Sequence, residues 1–196
     1  MRQIFLDVET QKSFDQVGGY FPDRLGISYV GICVRDGFSG KGKAEGFFEQ
    51  DLPKLWPILE NADVLIGFNI DGFDIETLRP YYSGSVSSWA TLDMLERIKE
   101  STGHRVSLNA VATQSLGVQK SGSGLDALEF YEKKQFDKIA KYCDMDVAIT
   151  RDLYDYGRSK GKVKFLNKWN RLIEAAVDFE FKPKKATGTQ MTLMGM

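Results

Sequence analysis

The sequence predicts an α/β protein built on one mixed β-sheet, in which antiparallel strands come first and parallel strands follow. Three apolar segments rich in β-branched and aromatic residues open the chain, and short turn sequences separate them. Segments with strand and helix periodicity then alternate, which is typical of parallel strands joined by helical crossovers. With 196 residues, of which 42% are hydrophobic and 27% charged, the chain is long enough to bury a core.

The three opening segments can pair as an antiparallel meander because only short connections separate them. They are QIFLDV at 3–8, LGISYVGICV at 25–34 and AEGFFE at 44–49. A fourth segment, DVLIGFN at 63–69, follows a helix that we predict over 51–62. A helical crossover would place this fourth strand parallel to the first.

The remaining segments are mostly helical by pattern. A short strand runs into a helix at SWATLDMLERIKES, and SLNAVATQSLG forms a helix that ends at Gly117. Helix is then predicted from LDALEFYEKK to about Gly157 or Gly161, and a further helix near 163–178. We therefore expect one folded domain over 1–180, followed by a flexible basic tail over 181–196.

Charge and cysteine content limit the class of protein. The formal net charge is −1, and without the three tail lysines it is (26 − 3) − 27 = −4. An acidic body argues against a broad DNA-coating surface, but it allows a small nucleic-acid site or an acidic cluster that holds cations. Cys33 and Cys143 have no CxxC partner, and we find no secretory or membrane-length apolar run. We expect a cytoplasmic protein with no membrane contact.

Two acids close the first predicted strand. Asp7 and Glu9 stand two residues apart, so period two places both side chains on one face of the strand. Carboxylates on a buried sheet face are costly unless they are paired or bound to metal. Taken alone, this pair has a simpler explanation, since it could mark an exposed strand end.

Further acids follow at comparable positions. Asp74 lies in the first turn of a predicted helix after Asn69, and Tyr142 and Asp146 are four residues apart on one helix face. Each feature alone fits a helix-dipole preference or a solvated face. Together, four carboxylates on one strand, one helix start and one late helix predict a site for two divalent cations, about 3.5–4 Å apart.

Three motifs carry a resemblance to a known family. FLDVET, NIDGFD and YCDMD resemble the D-x-E, N-x-x-x-[FY]-D and Y-x-x-x-D motifs of DEDD-type 3′–5′ exonucleases, which have an RNase H-like fold. Tyr142 is typical of the DEDDy branch, because the histidine branch would require histidine where Lys141 stands. IAKYCDMDVAITRDLY extends the similarity to stand-alone relatives of the proofreading domain of B-family DNA polymerases. The resemblance covers about residues 2–156.

The resemblance implies a role for each matching residue. Asp7, Glu9 and Asp146 would bind two Mg²⁺ or Mn²⁺ ions directly, with Asp7 bridging both, and Asp74 would hold the second ion, directly or through water. Tyr142 would orient the attacking water. Since a phenol ordinarily has a pKa of ~10, we expect it to position this water more than to deprotonate it.

Substrate contacts are also implied, with ordinary alternatives beside them. Thr10 would contact the terminal sugar, Phe73 would stack on the last base or simply belong to the core, and Asn69 would fix the loop before the second motif. Lys120 would hold a phosphate, unless its QKSGSG segment is only a surface linker. The loop at 11–24 carries aromatic and basic residues that suit stacking on a single strand or plain loop packing.

The function we expect is hydrolysis of single-stranded DNA from its 3′ end, with release of nucleoside 5′-monophosphates, for proofreading, repair or trimming in trans. An RNA substrate is one alternative, because no residue in the sequence reads the 2′-hydroxyl. A non-catalytic nucleic-acid-binding adaptor on the same fold is another, although the intact acid set argues against it.

One further segment resembles a docking peptide. QMTLM in the tail is similar to the short peptide with which bacterial replication and repair proteins bind the sliding clamp. Gln190, Thr192 and Leu193 match that pattern, and Met194 replaces its usual phenylalanine. The alternatives are a tail with no partner and a tail that folds back on the domain.

Overall fold

A computed structural model describes residues 1–118 and 124–181. Its main feature is a five-stranded sheet with the spatial order β3-β2-β1-β4-β5. Lys120 and Gln190–Met194, to which the sequence assigns phosphate binding and clamp docking, lie outside the described residues. The strands of this sheet are β1 (Arg2–Thr10), β2 (Ile27–Asp36), β3 (Lys43–Phe48), β4 (Val64–Gly67) and β5 (Thr91–Asp93).

The sheet is mixed in the way that the sequence predicts. β1, β2 and β3 form an antiparallel meander, whereas β4 pairs parallel to β1 and β5 parallel to β4. In the β1–β2 register, Asp7 is opposite Gly31 and Glu9 is opposite Tyr29. The predicted α/β fold class is confirmed.

Helices cover the sheet and connect its parallel strands. The long helical stretch predicted after LDALEFYEKK is interrupted at 133–135, where Lys134 has a φ of 55°. The helices are α1 (Phe14–Val17), α2 (Leu52–Glu60), α3 (Asp74–Leu78), α4 (Met94–Thr102), α5 (Leu108–Leu116), α6 (Gly124–Glu132) and α7 (Phe136–Lys160).

The side chains of β1 alternate between two apolar cores, one on each face of the sheet. Ile4, Leu6 and Val8 pack with residues of α2 and α3 on one face of the sheet. Phe5 packs on the other face, where its ring meets Tyr154 of α7 edge to face at 5.4 Å. By the same period of two, Asp7 and Glu9 share the face of Phe5 and therefore face α7.

The predicted helix near 163–178 is wrong. The segment forms a β-hairpin of β6 (Lys162–Leu166) and β7 (Leu172–Ala176), which packs on α5 and α7. Val163 and Phe165 are buried, whereas the lysines that alternate with them are less so. This alternation has the period of two of a β-strand, and packing against α5 selects it over a helix.

A buried polar network ties α7 to β1 and β2. The Arg35 guanidinium, with 1% of its side chain exposed, donates to both carboxylate oxygens of Asp155 at 2.7 and 2.9 Å. It also donates to Oε1 of Gln3, whose Nε2 donates to the Tyr154 hydroxyl at 3.0 Å. Such a fully satisfied network holds the three elements in one arrangement.

Among the residues that the structure describes, no helix combines the length and the apolar character needed to cross a membrane.

The packing of the segment after β7 yields a testable prediction. Gly157 of α7 lies under the Phe179 ring, and a Cβ at this position would overlap that ring. In an open helix Gly→Ala would stabilise the protein by about 1 kcal/mol. Here we expect Gly157→Ala to destabilise it by about 1–3 kcal/mol in urea unfolding, because the ring must move.

The double variant Gly157→Ala with Phe179→Ala is the matched control. It should lose less stability than the sum of the two single variants, because the overlap is removed. A Gly157→Ala protein at least as stable as the wild type would contradict this packing.

Candidate active site

The cleft forms where β1 extends beyond its neighbour β4. Parallel pairing with β4 involves only residues 3–5 of β1, so its second half projects past the end of that strand. Asp7 and Glu9 lie on this projecting half, and Glu9 is 8% exposed. The sequence-predicted acid pair therefore stands at the carboxyl end of the parallel strands, where α/β sheets commonly bind ligands.

Asp74 occupies the space beside β1 that β4 leaves open. It begins α3, is only 3% exposed, and its Oδ1 accepts a hydrogen bond from the Val8 backbone N–H at 2.9 Å. Burial first, and then the negative charge of Asp7, raise the pKa of Asp74 well above its usual range. The two carboxylates are therefore close enough to repel each other.

The long helix α7 supplies the other side of the cleft. Tyr142 and Asp146 lie one turn apart and are 5% and 3% exposed. Both line a cleft of about 400 Å³ together with Asp7 and Glu9. The volume is within the range of about 300–1,000 Å³ that is common for small-molecule sites. All five predicted catalytic residues thus meet at one place, with Asp74 behind the cleft wall.

Two residues that the sequence did not single out bring α7 close to the sheet. A Cβ on Gly31, opposite Asp7, would lie 3.0 Å from Sγ of Cys143 and 3.1 Å from a methyl carbon of Val147. The Cys143 sulfur lies 3.3 Å from the backbone oxygen of Asp7 and 3.4 Å from its Oδ2, so its single S–H can donate to either oxygen or be shared between them. A glycine within the otherwise β-branched ISYVGICV was the available signal, since it marks a close approach.

The donor set fits a hard divalent cation. Ligand atoms of Asp7, Glu9 and Cys143 all lie within 4.8 Å of one another. Burial, and then the charges of Asp7 and Glu9, raise the pKa of the Cys143 thiol well above its usual range. The remaining ligands are carboxylate oxygens, which Mg²⁺ and Mn²⁺ prefer.

Asn69 lies beside the cleft and not among the residues that line it. Its φ is 71°, a left-handed conformation that asparagine tolerates. Its N–H donates to Oδ1 of Asp93 at 2.9 Å, its Oδ1 accepts from Arg105 at 2.6 Å, and its carbonyl accepts from Phe73 N–H at 3.0 Å. These three hydrogen bonds hold the loop before Asp74.

Asp93, at the end of β5, lies outside the cleft lining and holds backbone groups together. Its carboxylate accepts backbone N–H groups of Asn69, Asp71, Leu95 and Glu96, so it joins the loop after β4 to the start of α4. Burial raises its pKa, and these hydrogen bonds partly offset that effect.

An aromatic wall borders the cleft, and we define it as Phe14, Tyr20 and Phe73. Phe14 stacks on Tyr20 with ring centroids 4.6 Å apart and meets Phe73 edge to face at 6.0 Å. The Tyr20 hydroxyl donates to the Gly72 carbonyl at 2.7 Å, which links the loop after β1 to the loop before Asp74. Phe14 and Phe73 line the cleft, while Tyr20 is 59% exposed at the outer end of the wall.

Thr10 and Lys12 complete this side of the cleft. Both line it, and the Thr10 hydroxyl donates to the Lys12 carbonyl at 3.1 Å. Its oxygen can still accept a hydrogen bond. The exposed Lys12 side chain, which the sequence did not single out, brings a positive charge to a cleft whose other charged lining residues are acids.

The profile of the RNase_H superfamily matches residues 4–157. The chain belongs to this superfamily. No curated protein sequence matches it. Within the superfamily fold, the chain resembles the family B DNA polymerase of the hyperthermophilic archaeon Pyrobaculum calidifontis with a TM-score of 0.60 at 18% identity. It also resembles Exonuclease I, as seen in the crystal structure of SSB/Exonuclease I in complex with inhibitor CFAM, with a TM-score of 0.52 at 15% identity.

At these low sequence identities, the two comparisons show similarity of fold only. The match covers 80% of this chain but 24% of the polymerase, and 81% of this chain but 41% of Exonuclease I. The chain therefore spans about a quarter and about two fifths of these two proteins. The predicted RNase H-like fold is confirmed, and so is its similarity in fold to part of a family B DNA polymerase.

The environment of Asp74 predicts a pH-dependent stability in the absence of metal. The pKa of Asp74 in the folded protein lies above its unfolded value of ~3.9. Protonation of Asp74 therefore stabilises the folded state, and this stabilisation is complete below the unfolded pKa. It is lost as the pH rises through the folded pKa. Asp74→Asn keeps an oxygen for Val8 N–H and removes the charge. We expect the variant to melt several degrees higher than the wild type at neutral pH in EDTA.

Thermal unfolding in EDTA across pH 4–8 measures this effect. The stability difference should shrink as the pH falls towards 4, because Asp74 is then protonated. A variant that melts below the wild type across the whole pH range would refute this electrostatic account.

Proposed function

We propose that this chain is a metal-dependent 3′–5′ exonuclease that removes nucleoside 5′-monophosphates from single-stranded DNA ends. One observation carries the proposal: Asp7, Glu9, Tyr142 and Asp146 converge on one cleft, with Asp74 directly behind it. The RNase H-superfamily fold is shared with known nucleases, and this supports a nuclease reaction.

The carboxylates would hold the cations. Asp7 lies next to Glu9 and close to Asp74, and this central position supports a role in which Asp7 would contact both ions. Bound Mg²⁺ or Mn²⁺ would lower the pKa of a water nucleophile and neutralise charge around the phosphorus. Asp146, buried on α7, would fix these ions relative to the helix.

Tyr142 would orient the attacking water. It stands one helical turn before Asp146 on the same buried face and lines the same cleft. This placement supports the DEDDy assignment, in which the phenol aims the water at phosphorus and a carboxylate neighbour holds the cation. Rigid packing of α7 on the sheet would keep this geometry pre-organised.

The cleft walls favour a single strand as substrate. An unpaired base can stack on Phe73 and, further out, on the Phe14–Tyr20 pair, whereas duplex bases have both faces covered. Lys12 is placed to contact the backbone, and Thr10 can accept a hydrogen bond from the terminal sugar. A cleft of about 400 Å³ suits one terminal nucleotide.

DNA is the preferred substrate class. The solved proteins of similar fold with TM-scores of 0.60 and 0.52 are named as a DNA polymerase and Exonuclease I. We place the reaction in proofreading, repair or trimming in trans, in the cytoplasm. Docking of Gln190–Met194 on a sliding clamp stays a prediction from the sequence.

The proposed reaction is tested with 3′- and 5′-labelled oligomers of matched DNA and RNA sequence, in Mg²⁺, Mn²⁺ or EDTA. We expect stepwise shortening from the 3′ end of DNA, release of 5′-monophosphates and no reaction in EDTA. Asp146→Asn should lower the rate at least about 10³-fold while the protein stays folded, because one cation loses its ligand. Asp144→Asn, on the exposed side of the same turn, is the matched control.

Three outcomes decide between the candidate functions. Oligomer binding without cleavage would support an adaptor and contradict the enzyme. Faster shortening of RNA than of DNA would identify an exoribonuclease. Activity of Asp146→Asn within tenfold of the wild type would remove the site assignment.

The role of Tyr142 predicts a kinetic separation. Tyr142→Phe keeps the ring and removes the hydroxyl, so we expect the single-turnover rate to fall on the order of 10²-fold with oligomer affinity unchanged. Stopped-flow cleavage and binding in EDTA measure the two quantities. An unchanged rate would leave Tyr142 with only a structural role.

The aromatic wall predicts an effect on binding and not on chemistry. Tyr20→Leu removes the outer stacking surface, and we expect the dissociation constant for single-stranded oligomers to rise about five- to tenfold at a nearly constant maximal rate. Phe21→Leu, an exposed neighbour outside the wall, is the control. Equal effects of the two variants would argue against stacking at Tyr20.

A further inference from the structure

The tip of the β6–β7 hairpin is a rigid turn, which we define as Asn167–Arg171. Oδ1 of Asn167 accepts the backbone N–H groups of Trp169 at 2.9 Å and Arg171 at 3.0 Å. Asn167 N–H donates to the Arg171 carbonyl at 3.0 Å, and its own carbonyl accepts Asn170 N–H at 2.9 Å. Asn170 has the left-handed φ of 55° that closes the turn. The backbone of the hairpin tip is therefore held in one conformation by four hydrogen bonds of Asn167.

This turn presents an indole to solvent. Trp169 is 68% exposed, whereas the two other tryptophans, Trp56 and Trp89, pack on a core. Leu166 and Leu172, on either side of the tip, are 41% and 53% exposed. An apolar surface held outward on a rigid turn is typical of a binding site.

The hairpin tip is positively charged, although the chain as a whole has a slight negative charge. From 156 to 173 there are six cations and no acid, while the whole chain has a net charge of −1. Lys162 and Lys164 pair with Glu174 at the hairpin base. Lys168 and Arg171 make no ion pair with any residue in the described ranges, and the Lys168 ammonium lies 4.5 Å from the centroid of the Trp169 ring.

We infer that the hairpin tip is a second contact for single-stranded nucleic acid, separate from the cleft. Trp169 stacks on an unpaired base, and Lys168 and Arg171 contact the flanking phosphates. An exposed indole between two cations matches the stacking and charge pattern by which proteins bind single strands without reading their sequence. The positive charge favours a nucleic-acid strand over an apolar protein partner, because an apolar surface would bury Lys168 and Arg171 without supplying them with an anion.

The tip would bind the same strand as the cleft. This inference rests on the proposed function, because it takes nucleic acid as the ligand. None of the tip residues lines the cleft, so a strand must reach both places to gain both contacts. A long oligomer then binds more tightly than a short one, because its second contact forms within the complex. A trinucleotide held in the cleft gains nothing from the tip.

The test is a titration of the full chain with oligo-dT of 3, 10, 20 and 30 nucleotides in EDTA, followed by tryptophan fluorescence and anisotropy. With wild type, long oligomers should quench the exposed indole, and affinity should rise with length. We expect Trp169→Ala to weaken binding of the 30-mer about tenfold and to leave the 3-mer unchanged. Phe38→Ala is the matched control, because Phe38 is also exposed, at 50%, and lies under Arg158.

The charges are tested separately. Lys168→Gln with Arg171→Gln should reduce the slope of log affinity against log salt by about 1.4 for the 30-mer, since two phosphate contacts are lost. If this double variant binds the 30-mer with the affinity and salt dependence of the wild type, the assignment is overturned. It is also overturned if Trp169→Ala binds the 30-mer as tightly as the wild type does.

Cleavage of the labelled trinucleotide in Mn²⁺ separates this inference from the proposed function. If the tip variants cleave the trinucleotide normally and bind the 30-mer as the wild type does, the hairpin contact is ruled out and the exonuclease proposal stands. Failure of cleavage in the wild type, together with loss of 30-mer binding in the tip variants, removes the exonuclease and supports the hairpin contact.

Discussion

The close approach of α7 to β1 and β2 is the constraint on which the cleft depends. Gly31 has no side chain where Cys143 and Val147 of the helix come nearest to the sheet. Because Gly31 pairs with Asp7, the contact point of helix and sheet is also the position of the first acid. A Cβ there would lie 3.0 and 3.1 Å from the Cys143 and Val147 side chains, so these two side chains of α7 would have to adjust by a few tenths of an ångström. Tyr142 and Asp146 lie on the same helix, and a misplacement of about 1 Å is enough to disturb a pre-organised site.

The same contact creates an electrostatic cost. Asp7, Glu9, Asp74 and Asp146 are brought together on largely buried surfaces, where like charges repel strongly. The Val8 N–H and the Cys143 thiol stabilise individual oxygens, but each supplies one hydrogen bond and no positive charge. A site of this kind favours divalent cations, since they neutralise the acids that the fold has concentrated.

Stability comes from regions away from the cleft. The sheet separates two apolar cores, and the Arg35–Asp155 pair with Gln3 fastens the second half of α7 to β1 and β2. α7 has 25 residues and is therefore about 37 Å long. Its first half carries the proposed chemistry, and its second half, held by this network, leads into the hairpin. One rigid element thus fixes the positions of both the cleft and the hairpin base.

Local pattern was enough to predict much of this protein from its sequence. The period of two placed Asp7 and Glu9 on one face, and the spacing of four placed Tyr142 and Asp146 on another, because strand and helix geometry are local properties. The meander of the first three strands followed from short connections. The motifs indicated the superfamily, which the match over residues 4–157 confirms.

Other features were decided only by tertiary contacts. The segment at 163–178 has a mixture of apolar and basic residues that suits a helix, yet burial of Val163 and Phe165 against α5 and the Asn167 turn make it a hairpin. The role of Gly31, the thiol of Cys143 beside Asp7 and the hydrogen bond from Val8 to Asp74 join residues 60 or more positions apart. Sequence periodicity describes which face a side chain occupies, but it contains no information about which distant backbone atom that face meets.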